Sequence, residues 1–333
     1  MIRCKLHIIL LTILVTSSIE AMSQTDLILT QHWNMPTLLN PASSGDTEFI
    51  RLRGGARLQY LGASQSPKDF VGTVDAPFKI SNERLGAGLF VNNNTYHLFD
   101  NLLIGIQGSY QFKIKRNNLR IGIGLGYYHS KFKGSELKTE EDTEGQKTDS
   151  GIDDTEGNFP LTDVSGGKFD VSVGIKYISP YFQLGLSALH LTNSTVRMED
   201  SFETTEDYRQ VESKLPATFY LDLSGNIPLK NTLFTIHPSI VLGTDFHNFV
   251  GVGELRFTYK QKITFGADYR WKRAAGIVVG YYLKDFYIGY SWEYDYKDPI
   301  KGSTGNHELV LGYQFKINME GKKRFSHRSI RLM

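Results

Sequence analysis

The sequence predicts an all-β protein, a transmembrane up-and-down antiparallel β-barrel of about fourteen strands. Beyond residue 46, apolar residues recur at every second position almost without interruption. The predicted strands are long, and short connections alternate with longer ones. The chain contains no run of 18 apolar residues, so a helical membrane span is not expected, whereas a barrel strand is marked only by alternation.

The first 23 residues fit the pattern of a secretory signal peptide. Arg3 and Lys5 give a positive start, an apolar core follows, and Ala21 and Ser23 place small residues before a cleavage site. Cys4 precedes the apolar core, so it is not placed as a lipoprotein acceptor, and it is the only cysteine in the chain. The exported protein is therefore expected to contain no disulfide.

The strand pattern is clearest between residues 101 and 130. Ile104 and Ile106 alternate with polar or small residues, and after the turn "KRNN" the alternation resumes with Ile121 and Ile123. The same reading along the chain predicts strands near residues 48–60, 69–78, 84–94, 102–114, 119–131, 168–178, 181–190, 216–227, 232–243, 249–259, 262–272, 274–283, 285–295 and 306–317.

The connections favour a membrane barrel. Loops after even-numbered strands are short, whereas the two longest loops, residues 132–167 and 191–215, both follow odd-numbered strands. In an up-and-down barrel these long loops lie at one end, and in outer-membrane barrels the long loops face outside. The expected location is therefore the outer membrane of a Gram-negative-type cell, with the long loops outside and both termini periplasmic.

The two faces of the strands differ in polarity. Strands of about ten residues or more exceed the globular norm of about five or six, so we expect the apolar face to contact lipid. Aromatic residues near strand ends, such as Tyr127 and Tyr128, suit the headgroup level. Glycines of "GIGLG" at 122–126 are expected to make room in the lumen or to let the sheet bend. The opposite face should line a filled lumen, with Arg51, Arg53 and Arg57 set against Asp222 and Glu254; it also carries Asp75, Asp170, Arg256, Asp268, Arg270 and Glu293.

The sequence gives little support for a catalytic, metal or nucleic-acid site. The acidic stretch 136–156 lacks the regular order of a calcium loop, and its role stays open. The histidines at 190, 237, 247 and 307 show no metal spacing. Ser303 near His307 and Glu308 suggests a hydrolase, but no oxyanion element supports it. The formal net charge is +2, so no nucleic-acid partner is indicated. We expect no cofactor, no metal and no catalytic residue.

The predicted organisation has four parts. Residues 1–23 form the signal peptide, 24–47 a periplasmic proline-containing segment, 48–317 the outer-membrane barrel, and 318–333 a basic periplasmic tail. In the second part, Pro36 and Pro41 block strand pairing, Asn40 before Pro41 favours a turn, and Gly45 can take a positive φ. Such a segment could plug or cap one barrel end, or it could dock periplasmic partners.

The stretch "LILTQHWNMPTLLNPASSGD" resembles the opening signature of the PorP/SprF family of outer-membrane proteins of the type IX secretion and gliding machinery. Later stretches agree in order: "RLQY" at 57–60, "DAPF" at 75–78, "LGAGLFVNNN" at 85–94, "HPSIVL" at 237–242, "GADYRW" at 266–271, "IGYSWEYD" at 288–295 and "GNHELVLGYQF" at 305–315. The signature positions, which we take as partner-binding candidates, are Gln31, Trp33, Pro36, Asn40, Pro41 and Gly45, with Ala42 between the last two.

The resemblance implies a non-enzymatic outer-membrane component of type IX protein secretion that supports export or surface attachment of a partner protein. The implied partners are periplasmic and outer-membrane secretion components, an exported surface protein and the lipid bilayer. An outer-membrane channel or small-hydrophobe transporter remains the alternative. Neither the dependent exported protein nor the stoichiometry follows from the sequence.

Overall fold

The computed structural model describes residues 28–63, 66–81, 83–137, 159–200, 209–297 and 299–317. These residues are mostly strand, with four short 3-10 turns. The strands are β1 (Phe49–Leu58), β2 (Lys68–Ile80), β3 (Glu83–Tyr96), β4 (Phe99–Ile114), β5 (Asn117–Lys133), β6 (Asp163–Ile178), β7 (Phe182–Leu189), β8 (Ser194–Asp200), β9 (Arg209–Leu215), β10 (Thr218–Gly225), β11 (Ile227–Pro228), β12 (Phe234–Thr244), β13 (Phe249–Tyr259), β14 (Ile263–Arg270), β15 (Ala274–Leu283), β16 (Phe286–Asp295) and β17 (Asn306–Lys316).

The sheet closes into a barrel because its first strand pairs with its last. β1 pairs with β2 and with β17, and all pairings are antiparallel. On the far side β10 pairs with β7 and β12, and β11 continues the register of β10 along β12. With β10 and β11 counted as one strand and the separate β8–β9 hairpin set aside, the described chain forms a closed 14-strand barrel. The predicted fold and strand count are confirmed.

The two ends of the barrel are unlike. Tight connections at residues 81–82, 115–116, 179–181, 260–262 and 284–285 share one end with the start of β1 and the end of β17. We call this the turn end. The opposite end, the loop end, carries the connections that contain residues 134–162 and 190–217. Both long loops therefore emerge on the same side, as the spacing predicts.

Side chains alternate between the outside and the lumen. Ile104, Ile106 and Ile123 are about half exposed on the outside, whereas Arg120 is fully buried in the lumen. Of the eleven acidic and basic residues assigned to the lumen, ten are buried and Asp222 is half-buried. The apolar face is thus the outer surface of the barrel. Tyr128, expected at the headgroup level, instead points inward and is buried.

The region 191–215 is not a simple loop. It contains the hairpin β8–β9, in which Arg197 pairs with Glu212 and Met198 with Val211. The inner face of the hairpin is apolar and packs on Leu103, Tyr128 and Phe132 of the barrel wall. Two short alternating runs thus find a buried surface inside the loop end, which explains the extra strands.

No helix among the described residues has the length and apolar character needed to cross a membrane.

Candidate functional site

The segment before β1 lies inside the barrel. We call residues 28–47 the plug, which forms three 3-10 turns, His32–Asn34, Pro36–Leu38 and Pro41–Ser43. The two prolines stand at the first position of their turns, where a missing N–H costs no hydrogen bond. Most of the plug is buried, including Thr30, Gln31, Met35, Asn40, Ala42 and Ser44.

The first anchor of the plug is a cluster of carboxylates on β16 and β17. Glu308 accepts hydrogen bonds from the backbone N–H groups of Thr30 and Gln31, both at 2.9 Å. Glu293 accepts from the Thr30 hydroxyl at 2.7 Å and forms ion pairs with Arg57 and Arg270. These buried charges are paired and hydrogen-bonded, the condition under which burial is tolerated.

The second anchor holds the other end of the plug. Asp46 forms ion pairs with Arg51 at 2.9 Å and Lys176 at 2.8 Å. Arg51 also makes a two-pronged contact with Asp75, which accepts a hydrogen bond from Gly45 N at 2.8 Å. Burial alone would raise the pKa of Asp46, but Lys176 and Arg51 outweigh it and lower that pKa to about 2. The plug is therefore fixed by hydrogen bonds to carboxylates on one side of its turns and by ion pairs on the other.

Between the anchors, side chains of the wall satisfy the plug backbone. Arg120 donates to the carbonyl oxygens of Ala42 at 3.1 Å and Ser44 at 2.7 Å. Gln107 donates to the Thr37 carbonyl at 2.9 Å. Because wall residues on β1, β4, β5, β13, β16 and β17 all reach the plug, it crosses the lumen rather than lining one side.

Glycines of the barrel wall leave the space that the plug occupies. A Cβ on Gly122 would stand 2.3 Å from Ala42 N, and one on Gly86 would stand 1.8 Å from the Ser44 carbonyl oxygen. Gly45 itself has a φ of +63° and would place a Cβ 2.6 Å from the Ala76 carbonyl oxygen. The expectation that "GIGLG" clears space in the lumen is thus met at Gly122.

The signature residues divide into two groups. Gln31, Asn40, Pro41 and Gly45 are buried among wall strands, and the Gln31 Oε1 accepts from the Tyr287 hydroxyl at 2.8 Å. Trp33 and Pro36 are half-buried and line a cavity of about 650 Å³ at the turn end. Four signature residues therefore hold the plug in place, and two face accessible space.

The turn-end cavity is built by the plug and the wall together. Its floor includes His32, Trp33 and Pro36, and its sides include Asp222, His237 and Arg256. The Arg256 Cζ lies 3.8 Å from the centroid of the Trp33 ring. Burial and Arg256 lower the pKa of His32 to about 3, so the contact with Glu254 at 3.9 Å is made by a neutral imidazole.

The lumen charges pair differently from the sequence-based expectation. Arg51 meets Asp75 and Asp46, and Arg57 meets Glu293 and Glu308. Arg53 donates to carbonyl oxygens of Leu52 and Tyr313 and to Gln314. Glu254 instead lies beside Arg256, its neighbour two residues on. The lumen is filled as predicted, but by other pairs, because strand register and the plug decide which side chains meet.

The proposed hydrolase residues do not converge. His307 contacts the hydroxyls of Tyr290 at 2.7 Å and Thr304 at 3.0 Å rather than Ser303. Ser303 accepts from Gly305 N, and Glu308 lies on the opposite face of β17 in the plug anchor. Within the described ranges, no three His, Cys, Asp or Glu side chains gather as metal ligands.

Several contacts of the plug were not predicted from the sequence. Arg120 and Gln107 both donate to carbonyl oxygens of the plug. In the sequence, these two residues are marked only by their positions on the lumen-facing side of β5 and β4. The signal peptide 1–23, most of the acidic stretch 136–156 and the basic tail 318–333 lie outside the described residues.

Similar solved structures are membrane barrels of low sequence identity. The Acinetobacter baumannii outer membrane protein Omp33 is 8% identical over 81% of this chain and 99% of its own, with a TM-score of 0.42. The Ralstonia pickettii toluene transporter TbuX is 10% identical over 84% and 92%, with a TM-score of 0.48. A Pseudomonas aeruginosa FadL homologue is 10% identical over 81% and 90%, with a TM-score of 0.47. No curated protein matches the chain.

A family model gives the assignment. The model described as type IX secretion system membrane protein PorP/SprF matches residues 21–313, which include the plug and nearly the whole barrel. The resemblance seen in the signature from Gln31 to Gly45 is confirmed by this match. The chain belongs to the PorP/SprF family of type IX secretion system membrane proteins.

Proposed function

We propose that this barrel is a non-enzymatic outer-membrane component of type IX secretion that supports export or surface attachment of a partner protein. Family and fold are those of a secretion-associated outer-membrane barrel rather than of an enzyme. The observation that carries the proposal is the plug, which crosses the lumen and is held by hydrogen bonds to buried carboxylates at one end and by ion pairs at the other. A barrel filled in this way is suited to holding partners at its ends.

The plug also weighs against the channel or transporter alternative. A solute path through the lumen would require the plug to leave its anchors at Glu308 and Lys176. At the loop end, the β8–β9 hairpin packs against Tyr128 and Phe132 of the inner wall. Both features favour a scaffold role for the barrel over a role in solute transport.

In the proposed orientation the turn end faces the periplasm and the loop end faces outside. The short turns and both barrel termini share the turn end, where the plug joins β1, and the long loops share the other end. The turn-end cavity is then open to periplasmic secretion components. Trp33 and Pro36 contribute to that docking surface directly, while Gln31, Asn40, Pro41 and Gly45 act by holding the plug that presents them.

A reversible lock tests the scaffold role. A Cβ built on Gly88 lies 3.3 Å from the Ser44 Cβ, close to the separation found in disulfides, so the double variant Ser44→Cys/Gly88→Cys can tie the plug to β3. Export of the dependent surface protein is measured in cells lacking the native chain, with the variant oxidised or reduced. If the barrel is a scaffold, both forms should restore export, and neither should show single-channel conductance in planar bilayers.

The single variants Ser44→Cys and Gly88→Cys serve as controls for the two substitutions. Membrane pull-downs followed by mass spectrometry should recover secretion components with the locked barrel. Loss of export only in the oxidised double variant would mean that the lumen must open, and it would contradict the scaffold role.

A further inference from the structure

Arg256 is a buried guanidinium held in one orientation. Its Cζ lies over the Trp33 ring, 3.8 Å from the ring centroid, and its Nε lies 2.9 Å from Glu254 Oε1. Only 7% of the residue is exposed. Stacking and the carboxylate together fix the side chain, because a guanidinium is planar and cannot turn independently of either contact.

The terminal nitrogens of Arg256 have no hydrogen-bond partner among the described residues, although the residue lines the turn-end cavity. Its Nε is fully enclosed and lacks hydrogen-bond geometry, whereas the terminal nitrogens are not fully enclosed. A guanidinium carries five N–H donors in a fork that matches a carboxylate. The Nε edge of this fork lies against Glu254 at ion-pair distance, and the other edge lines the cavity.

The surroundings favour an anion at that edge. Four cationic side chains, Arg51, Lys176, Lys284 and Arg256, line the cavity against two acidic ones, Asp46 and Asp222. Arg51 and Lys176 are engaged by Asp46, whereas Arg256 keeps free donors. Ser239, Thr258 and Gln261 add neutral hydrogen-bonding groups to the same wall.

We propose that Arg256, stacked on Trp33, is the receptor for a carboxylate carried by a ligand that enters the cavity from the turn end. This inference rests on the proposed function and specifies the chemistry that a partner offers to the cavity. The carboxylate can belong to an acidic peptide segment or to a small free acid. Both sources present the same two oxygens to the fork.

Binding to the purified full chain in detergent tests the proposal. The probes are the peptide acetyl-Gly-Ser-Glu-Asp-Ser-Gly-amide, its counterpart with Gln and Asn in place of the acids, and succinate, each followed by calorimetry. We expect the acidic peptide or succinate to bind and the neutral peptide to fail. Arg256→Gln should weaken that binding about tenfold or more, because charged hydrogen bonds are lost.

Two variants guard against a folding defect. Arg256→Lys keeps the charge beside Glu254 but loses the fork, and it should still weaken binding several-fold. Lys272→Gln removes an exposed cation at the loop end, outside the cavity, and should change binding little. Heat-modifiable gel mobility confirms that each barrel is folded. If Arg256→Gln does not fold, the binding measured with Arg256→Lys tests the proposal.

Tighter binding of the acidic peptide than of succinate would identify a peptide ligand. Equal binding of the two probes would identify a small acid. Both results support Arg256 as the carboxylate receptor. Equal binding of the acidic and neutral peptides, binding by no probe, or unchanged affinity in a folded Arg256 variant would overturn it. Because these measurements use the isolated protein, their failure would remove the carboxylate site and leave the export role to be judged by the lock experiment.

Discussion

Asn40 occupies the space that a side chain on Gly174 would need. Its Oδ1 lies 2.0 Å from the position of a Cβ on residue 174, and it also accepts a hydrogen bond from Ala42 N at 2.9 Å. The Asn40 amide donates to the carbonyl oxygens of Ile175 at 3.1 Å and Leu186 at 3.4 Å. One plug side chain thus caps its own turn and bridges β6 and β7, and a glycine in the wall makes this possible.

Filling the space of a wall glycine should loosen the plug. In Gly122→Ala the new methyl group would stand 2.3 Å from Ala42 N, and a backbone neighbour cannot swing aside as a flexible side chain does. We expect a loss of about 1–3 kcal/mol in the free energy of unfolding, the usual cost of overpacking. Urea unfolding in detergent measures it, and hydrogen exchange of the plug amides shows where the loss occurs.

Gly108→Ala is the matched control, because a Cβ at residue 108 meets nothing within 4 Å. It should leave stability and plug exchange unchanged. Equal effects of the two substitutions would show that Gly122 does not make room for the plug.

Neutralising the first anchor should be costly. Glu293→Gln removes the charge that faces Arg57 and Arg270, so two buried guanidinium groups lose their main counter-ion. Breaking a buried pair in this way typically costs about 3–5 kcal/mol. The prediction is checked by chemical denaturation of the purified barrel.

The exposed pair Arg197–Glu212 on the β8–β9 hairpin provides the comparison. Glu212→Gln should change the free energy of unfolding little, because water and salt screen such a pair. A Glu293→Gln variant as stable as Glu212→Gln would mean that the anchor contributes nothing to the fold.

Acid should release the plug through His32. Its pKa falls from 6.5 to about 3 in the folded protein, through burial and Arg256, so the unfolded chain binds the proton more readily than the folded one. Stability from this group is therefore complete above pH of about 6.5 and declines as the pH falls toward about 3. Asp46, with its pKa lowered to about 2, keeps its ion pairs until still lower pH.

Hydrogen exchange of the Thr30 and Gln31 amides at pH 7 and pH 5, corrected for intrinsic exchange rates, measures this effect. Protection should fall more steeply with acid in the native chain than in His32→Asn, which cannot be protonated. The groups facing His32 are Arg256, Arg270 and Glu254, and all three remain in the variant. Identical pH profiles for the two proteins would refute the role of His32.

Epitope labelling tests the orientation. An epitope inserted near Thr148, within the long loop-end connection, should be labelled on intact cells. One inserted at Asn117, beside the tight turn between β4 and β5, should be labelled only after the outer membrane is opened. The reverse result would place the turn end and its cavity outside the cell.

Much of the wall could be predicted from the sequence. The period of two in stretches such as Ile121–Leu125 reports directly which side chains face outward, because each residue in a strand alternates faces. Strand number and the common side of the long loops follow from the same pattern. The β8–β9 hairpin was missed because its runs are short, and its burial depends on Tyr128 and Phe132, far away in the chain.

By itself the sequence determined the barrel, its two unlike faces and the signature from Gln31 to Gly45. Tertiary structure alone decided that this signature lies inside the lumen and which charges meet there. Arg57 and Glu293 are 236 positions apart, and their contact exists only because the barrel closes between β1 and β17. Alternation records the face of a side chain but carries no information on its partner across the lumen, since partnership depends on register, closure and the path of the plug.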